Sequence, residues 1–401
     1  MRRKLFLFLL VFCALSQPAR VQEKQQVQPA KSTAEVQTQK PERTQPAPGS
    51  GGLTAEQFGQ LSEKLSEPNG YFDSDNLISN ETSYLHVMGK LRQMKLSGGA
   101  FIGVGPDQSF SYIAQIRPNI VFMVDIRRDN LLQHLLFKSL FTMSQNRLEY
   151  LCLLFGKPVP ADVKAWDSRS IQDIVAYLDK TTKDQKLFDA TKARVQAKVK
   201  SFGLKLDAME LDTINRIHAA FFAEGPDLKF TSKGRPSRYY YPNYRDLLLE
   251  KDLTGKQTNY LVNEDDFRFL KSLEERNLVI PVVGNLGGGH ALKSIAAYLN
   301  ERGEKVSAFY VSNVEFYLWR QSGSFERFVQ NLKSLPIDNK SVIIRSYFNY
   351  AYYAYQHPKT VENHFSVQQF QTIESVIKDM DPTTGGYNSY YDLVTRHMVD
   401  Y

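Results

Sequence analysis

Gly103, Gly105, Pro106 and Asp107, with Asp125 about twenty residues further on, have the residue types and spacing best suited to ligand chemistry in this chain. Glycine lets main-chain N–H groups approach a ligand closely, and a helix N-terminus favours negative charge. A carboxylate placed like Asp125 can accept hydrogen bonds from a ribose diol. The same carboxylate can instead cap a helix beginning near Asp129. Arg127 and Arg128 either hold an anionic ligand or pair with Asp129 and surface acids. Gly103, Gly105, Pro106, Asp107, Asp125 and Arg127 are thus the candidate cofactor-binding set.

Other polar residues fall at comparable places. Asn285 stands in the turn GNLGGGH, whose glycines either admit a phosphate, carboxylate or sugar or form a mobile loop. Ser312 and Asn313 lie at a further strand end, where they line a pocket or cap the helix that follows. Strand ends of an open parallel sheet border one crevice, so Gly105, Asp125, Asn285 and Asn313 are expected to face a common pocket. Glu81 and Tyr84, in NETSYLH, either contact the ligand, with Glu81 as a polar group or base, or belong to a helix start capped by Asn80. A basic aromatic loop, from Lys233 through Arg235, Arg238 and Tyr239–Tyr241 to Arg245, either clamps a planar or anionic substrate or packs its tyrosines inward.

The elements that must position these groups alternate in type. Gly99 to Val104 predicts a strand, Gln108 to Gln115 a helix stopped by Pro118, and Asn119 to Val124 a strand covered on both faces. Helices are expected over 54–65, over Asn80–Met94 and, unbroken, over Asn130–Phe155. Residues 161–275 carry amphipathic stripes such as Ile171, Ile174, Val175 and Leu178, the pattern of a helical insertion between two halves of a sheet. Strands follow at Leu278–Val283, Val306–Val311 and Val342–Ser346, with helices at His290–Arg302 and from Val314. The alternation predicts a mostly parallel sheet with helices on both faces.

Composition narrows the function. Of the formal net charge of +7, residues 1–52 supply +5, from eight Lys/Arg against three Glu, which leaves the rest near +2. That balance gives no bulk electrostatic case for nucleic-acid binding. Arg2, Arg3 and Lys4 precede the apolar run Leu5–Leu15, the pattern of an export signal over 1–16 or of an uncleaved membrane tether. Residues 17–52, rich in Gln and Pro, read as a disordered tether, and no later segment is apolar enough to span a membrane. Of two cysteines, Cys152 lies in the apolar LEYLCLLF, so no disulfide framework is expected. His357 and His364 lack the spacing of a metal motif, and no metal site is predicted. Neither a GxSxG elbow nor a Walker lysine occurs.

Region 99–129 resembles motif I and the second-strand acid of class I S-adenosylmethionine-dependent methyltransferases. Gly103 and Gly105 match the first two motif glycines, Asp107 replaces the third, Phe101 stands at the usual acid, and Asp125 matches the ribose-binding carboxylate. The segments EPNGYFDSDNLISNETSYLHV, GVGPDQSFSYIA, VDIRRDN and FYVSNVEFYL are similar to an uncharacterised bacterial family with a methyltransferase-like domain of unknown function. The resemblance implies a Rossmann-like α/β domain over 53–401 that takes a small-molecule ligand, S-adenosylmethionine or a related nucleoside, and it names no acceptor. An exported chain would not normally meet that cytosolic cofactor. The alternative expectation is therefore an exported binding or scaffold protein that keeps the fold without methyl transfer.

Overall fold

The computed structural model describes residues 51–236, 238–349 and 356–400. Residues 1–16, expected to be an export signal, and most of 17–52, expected to be a tether, lie outside the described residues. The architecture is mixed α/β, with six strands and fifteen α-helices among the described residues. The strands are β1 (Ala100–Gly103), β2 (Ile120–Asp125), β3 (Val279–Val283), β4 (Val306–Ser312), β5 (Val342–Phe348) and β6 (Ser366–Thr372). They lie in the order β3-β2-β1-β4-β5-β6. All neighbours are parallel except β5 and β6, which run antiparallel. The apolar runs of β1, β2 and β3 are buried along their length, as strands covered by helices must be.

Between β2 and β3 the chain leaves the sheet for more than one hundred and fifty residues, mostly helical. The expected unbroken helix over 130–155 is in fact two, Arg128–Met143 and Arg147–Phe155. Asn146 makes the break: its side chain accepts from the Glu149 N–H at 3.0 Å and donates to the Val163 carbonyl at 2.7 Å. The first of these helices packs on β2 and β3 and also on helices Ala208–Glu224 and Glu264–Glu275, so it joins the insertion to the sheet.

The expected helix over 80–94 is regular only at Met88–Met94. Residues 82–87 are instead a run of largely buried turns, and just before them Ser79 Oγ accepts from the Glu81 N–H at 3.1 Å. A local side-chain acceptor of this kind competes with the helical ladder. Helix Ala55–Leu65 starts on a capping box of Thr54 and Gln57. It buries Phe58, Leu61 and Leu65, and Ser62 Oγ donates to the Pro281 carbonyl in β3 at 2.6 Å. No described helix is long and apolar enough to cross a membrane.

Candidate functional site

A cavity of about 220 Å³ opens at the carboxyl ends of the parallel strands. Gly105 and Pro106 border it after β1, Asp125 at the end of β2, Asn285 after β3, and Ser312 and Asn313 at the end of β4. Glu81 also lines it, from the segment that precedes β1. Two loops make the outer wall. The Lys233 N–H donates to the Asp73 carbonyl at 2.7 Å, and Arg235 pairs with the Asp73 carboxylate at 2.5 Å. Arg235, Arg238, Tyr240 and Tyr241 of the basic aromatic loop all reach the cavity. Tyr240 stacks on Phe365 with ring centroids 4.2 Å apart, and Phe72 meets Tyr317 edge-on at 5.0 Å.

Glu81 is the most unusual group here. It is 1% exposed, and its carboxylate accepts from Tyr310 Oη at 2.7 Å, Ser346 Oγ at 2.5 Å and Ser312 Oγ. Burial pushes its carboxyl above the usual 4.5, and the hydroxyl donors only partly oppose that. Ser312 reaches Glu81 because β4 slips register against β5 between Tyr310 and Ser312, and Ser312 takes φ 51°. Left-handed backbone costs a non-glycine residue about 1–3 kcal/mol and gathers at functional sites.

The first glycine turn faces two ways. Gly105, at φ 77°, needs the freedom of glycine, and its carbonyl accepts from His134 Nε2 at 2.9 Å. Burial holds the His134 imidazole near 4, so the ring is neutral and donates through Nε2. Gln108 donates through Nε2 to Tyr310 at 3.1 Å, but its Oε1 has no partner among the described residues. Gly103 lies inside β1, where a Cβ would sit 2.6 Å from the Phe101 ring. Asp107 points into the insertion and accepts from Tyr244 Oη at 2.6 Å and Tyr260 Oη at 2.9 Å. Burial pushes its carboxyl up to about 6 despite these two donors. Tyr84 also serves the insertion, donating to the Leu247 carbonyl at 2.7 Å and accepting from Asn259 at 2.8 Å.

Asp125 borders the cavity with its carboxylate already engaged. Arg127 donates through Nε to Oδ1 and through Nη2 to Oδ2, both at 3.1 Å, and the Arg127 N–H adds a bond to Oδ1 at 2.9 Å. Of about four lone-pair directions on a carboxylate, one remains on Oδ2. Arg127 Nη1 reaches the carbonyls of Ser74 and Asp75 at 3.0 and 2.7 Å, so this pair ties β2 to the outer wall. Arg128 turns away to Glu210 at 2.7 Å.

Three amides of the second glycine turn are already engaged. The Asn285 N–H donates to Glu67, the Gly287 N–H to Asn285 Oδ1 at 2.9 Å, and the Gly288 N–H to the Asn285 carbonyl at 2.8 Å. Asn331 Nδ2 holds the Leu286 and Gly288 carbonyls, both at 2.9 Å, and Arg327 holds that of Gly287 at 3.0 Å. Glu67, Gln108 and His134 were not reached from sequence. Gln108 alone carried a signal, as the residue next to the first turn. Cys152 is buried, and burial pushes its thiol up to about 12, against any nucleophilic use.

A family described as Domain of unknown function (DUF7790) matches residues 77–396. The chain belongs to this family. The family's span takes in all six strands, Glu81 and both glycine turns, but starts after helix Ala55–Leu65 and Glu67. No curated protein matches the chain.

Proposed function

We propose that the crevice binds S-adenosylmethionine or a related nucleoside, in a methyltransferase-like, Rossmann-like domain. One observation carries the reading: the glycine turn after β1, the acid ending β2 and the polar ends of β3 and β4 share one cavity. This is where the chain reverses direction across the sheet, with β2 on one side of β1 and β4 on the other. The strand order, ending in one antiparallel strand, agrees with the resemblance. The residues fit such a ligand, since Gly105 leaves the backbone open beside the cavity and Gln108 Oε1 is an acceptor in want of a donor.

A bound S-adenosylmethionine would supply an electrophilic methyl group. The protein's share is alignment of the acceptor. Gly105 and Pro106 would flank the ligand, and the remaining lone pair of Asp125 would accept from a ribose hydroxyl. Glu81, whose burial makes its carboxylate a stronger base than a solvated one, would take the acceptor's proton in its ionised form. The aromatic loop would cover a planar ring.

A second reading is a binding protein without methyl transfer. It is favoured by Arg127, which engages both oxygens of Asp125, and by Asp107, which serves Tyr244 and Tyr260. Thermal unfolding with S-adenosylmethionine and S-adenosylhomocysteine separates the two. Saturation at 100 times the dissociation constant should add about 2.7 kcal/mol. Asp125→Ala should abolish that gain. Its unliganded stability sets the baseline, because the change also strands a buried Arg127 at a cost of about 3–5 kcal/mol. No gain at millimolar ligand rejects the cofactor reading. N-terminal sequencing of the protein from its host would show whether a leader is removed.

A further inference from the structure

Away from the cavity, three side chains from separate parts of the chain converge. His86 lies in the turns that follow Glu81, Glu250 follows helix Tyr244–Leu249 of the insertion, and His364 lies just before β6. One donor atom from each lies within 4.8 Å of the other two. We propose that His86, Glu250 and His364 bind a divalent transition-metal ion of the zinc type.

Hydrogen bonding leaves the inward atoms available. His364 Nδ1 bonds the Glu362 carbonyl at 3.1 Å, which puts the proton on Nδ1 and the lone pair of a neutral ring on Nε2. That Nε2 faces Glu250 Oε2 at 3.7 Å. Two lone pairs in opposition call for a positive charge between them, and hydrogen bonding to Glu250 lifts the His364 imidazole above its usual 6.5, so a proton holds that place until a metal ion displaces it. A carbonyl behind the distal nitrogen is also the usual way a metal-binding histidine is oriented. Glu250 Oε1 accepts from the Lys251 N–H at 2.8 Å, which leaves Oε2 to the cluster. His86 is 5% exposed, its ring lies 4.5 Å from that of His364, and neither nitrogen has a hydrogen-bond partner among the described residues. Burial, and then the charge of a protonated His364, push the His86 imidazole down to about 4. The ring is neutral at pH 7.

Two imidazoles and one carboxylate form a nitrogen-rich set that suits zinc rather than calcium or magnesium, which take oxygen. Metal–ligand distances of about 2.0–2.1 Å place tetrahedral ligand atoms roughly 3.3 Å apart. The His364–Glu250 pair, at 3.7 Å, must close by about 0.4 Å to meet that, and the widest pair, within 4.8 Å, by up to about 1.5 Å. Glu250 and His364 keep 23% and 19% of their side chains exposed, enough for a water in a fourth position. The ion would fasten the insertion and the start of β6 to the segment that carries Glu81. This site is independent of the cofactor reading.

The test is titration of chelator-stripped, dialysed protein with cobalt(II) and then zinc. The expected result is one cobalt per chain with the visible bands of a four- or five-coordinate ion, displaced by one equivalent of zinc. His86→Ala and His364→Ala should weaken binding at least about 100-fold, the upper end of the loss seen when a partner behind a ligand is removed. His290→Ala, an exposed histidine elsewhere, should bind as before. His364→Gln, checked by circular dichroism, serves if an alanine variant does not fold. A wild-type protein without cobalt bands or retained zinc overturns the proposal. So does equal binding by all the variants, which would leave an imidazolium–carboxylate pair.

Discussion

The two glycine turns occupy equivalent places after β1 and β3, yet their backbones are spent differently. After β3, the amides of Asn285, Gly287 and Gly288 are consumed by Glu67 and by Asn285 itself, while Asn331 and Arg327 hold the carbonyls. Gly284, Gly287 and Gly288 there answer to packing, while exposed Gly289 meets nothing within 4 Å. A Cβ on Gly284 would lie 2.5 Å from Ala291 Cβ and 2.9 Å from Val124 Cγ1. After β1, Gly105 meets nothing closer than Gln108 Nε2 at 3.4 Å, and its need is conformational. The glycine-richer turn is thus the more closed one. Glycine count alone does not identify a ligand nest; the fate of the N–H groups does.

Four substitutions sharpen or break this contrast. The largest effect is expected at Asp107, which anchors the first turn to the insertion. Its folded value, about 6, lies above its ordinary 3.8. Between those values the native chain binds more protons than the unfolded one, so this contribution is complete below pH 3.8 and lost as pH rises to about 6. Asp107→Asn should flatten the fall by about 3 kcal/mol, read as the difference between two urea-unfolding series across this range. A slope identical to wild type would mean that Asp107 is solvated. Gly284→Ala should cost about 2–3 kcal/mol, from overpacking, and leave any ligand response unchanged. Gly105→Ala should cost about 1–2 kcal/mol, the strain of a left-handed alanine, and should also remove the nucleoside response. If the two alanine variants lose that response equally, the contrast between the turns fails. Asn285→Ala, which gives up the bond to the Gly287 N–H, should cost about 1 kcal/mol by denaturant midpoint.

Much of the sheet was legible because burial on both faces leaves continuous apolar runs, as in IVFMV of β2. β6 was not. Its sequence SVQQFQT reads as polar, yet Gln368, Gln369 and Gln371 are fully buried. Gln371 bonds Arg345, and Gln368 bonds Ser346, both on β5. Hydrophobic patterning cannot find a strand of buried glutamines, two of which have side-chain partners on β5 while the Gln369 amide has none among the described residues. The pocket residues Gly105, Asp125, Asn285, Ser312 and Asn313 were legible from topology alone, since strand ends converge. The partners of Asp107 were not, because Tyr244 and Tyr260 lie 137 and 153 residues away in sequence. The break at 144–146 did carry a sign, an Asn three residues before a Glu, outweighed by the apolar run on either side.

Helix Ala55–Leu65 precedes the span shared with the family, but it is no appendage. A fragment starting at Leu77 would uncover the surfaces that Phe58, Leu61 and Leu65 seal, each worth about 1.5–3 kcal/mol. It would also bare the Lys138 ammonium, which lies 4.8 Å from the centre of the Phe58 ring and pairs with Glu274 at 3.6 Å. The limits of shared ancestry and of autonomous folding therefore differ, and expression trimmed to the former should yield sticky, protease-sensitive material.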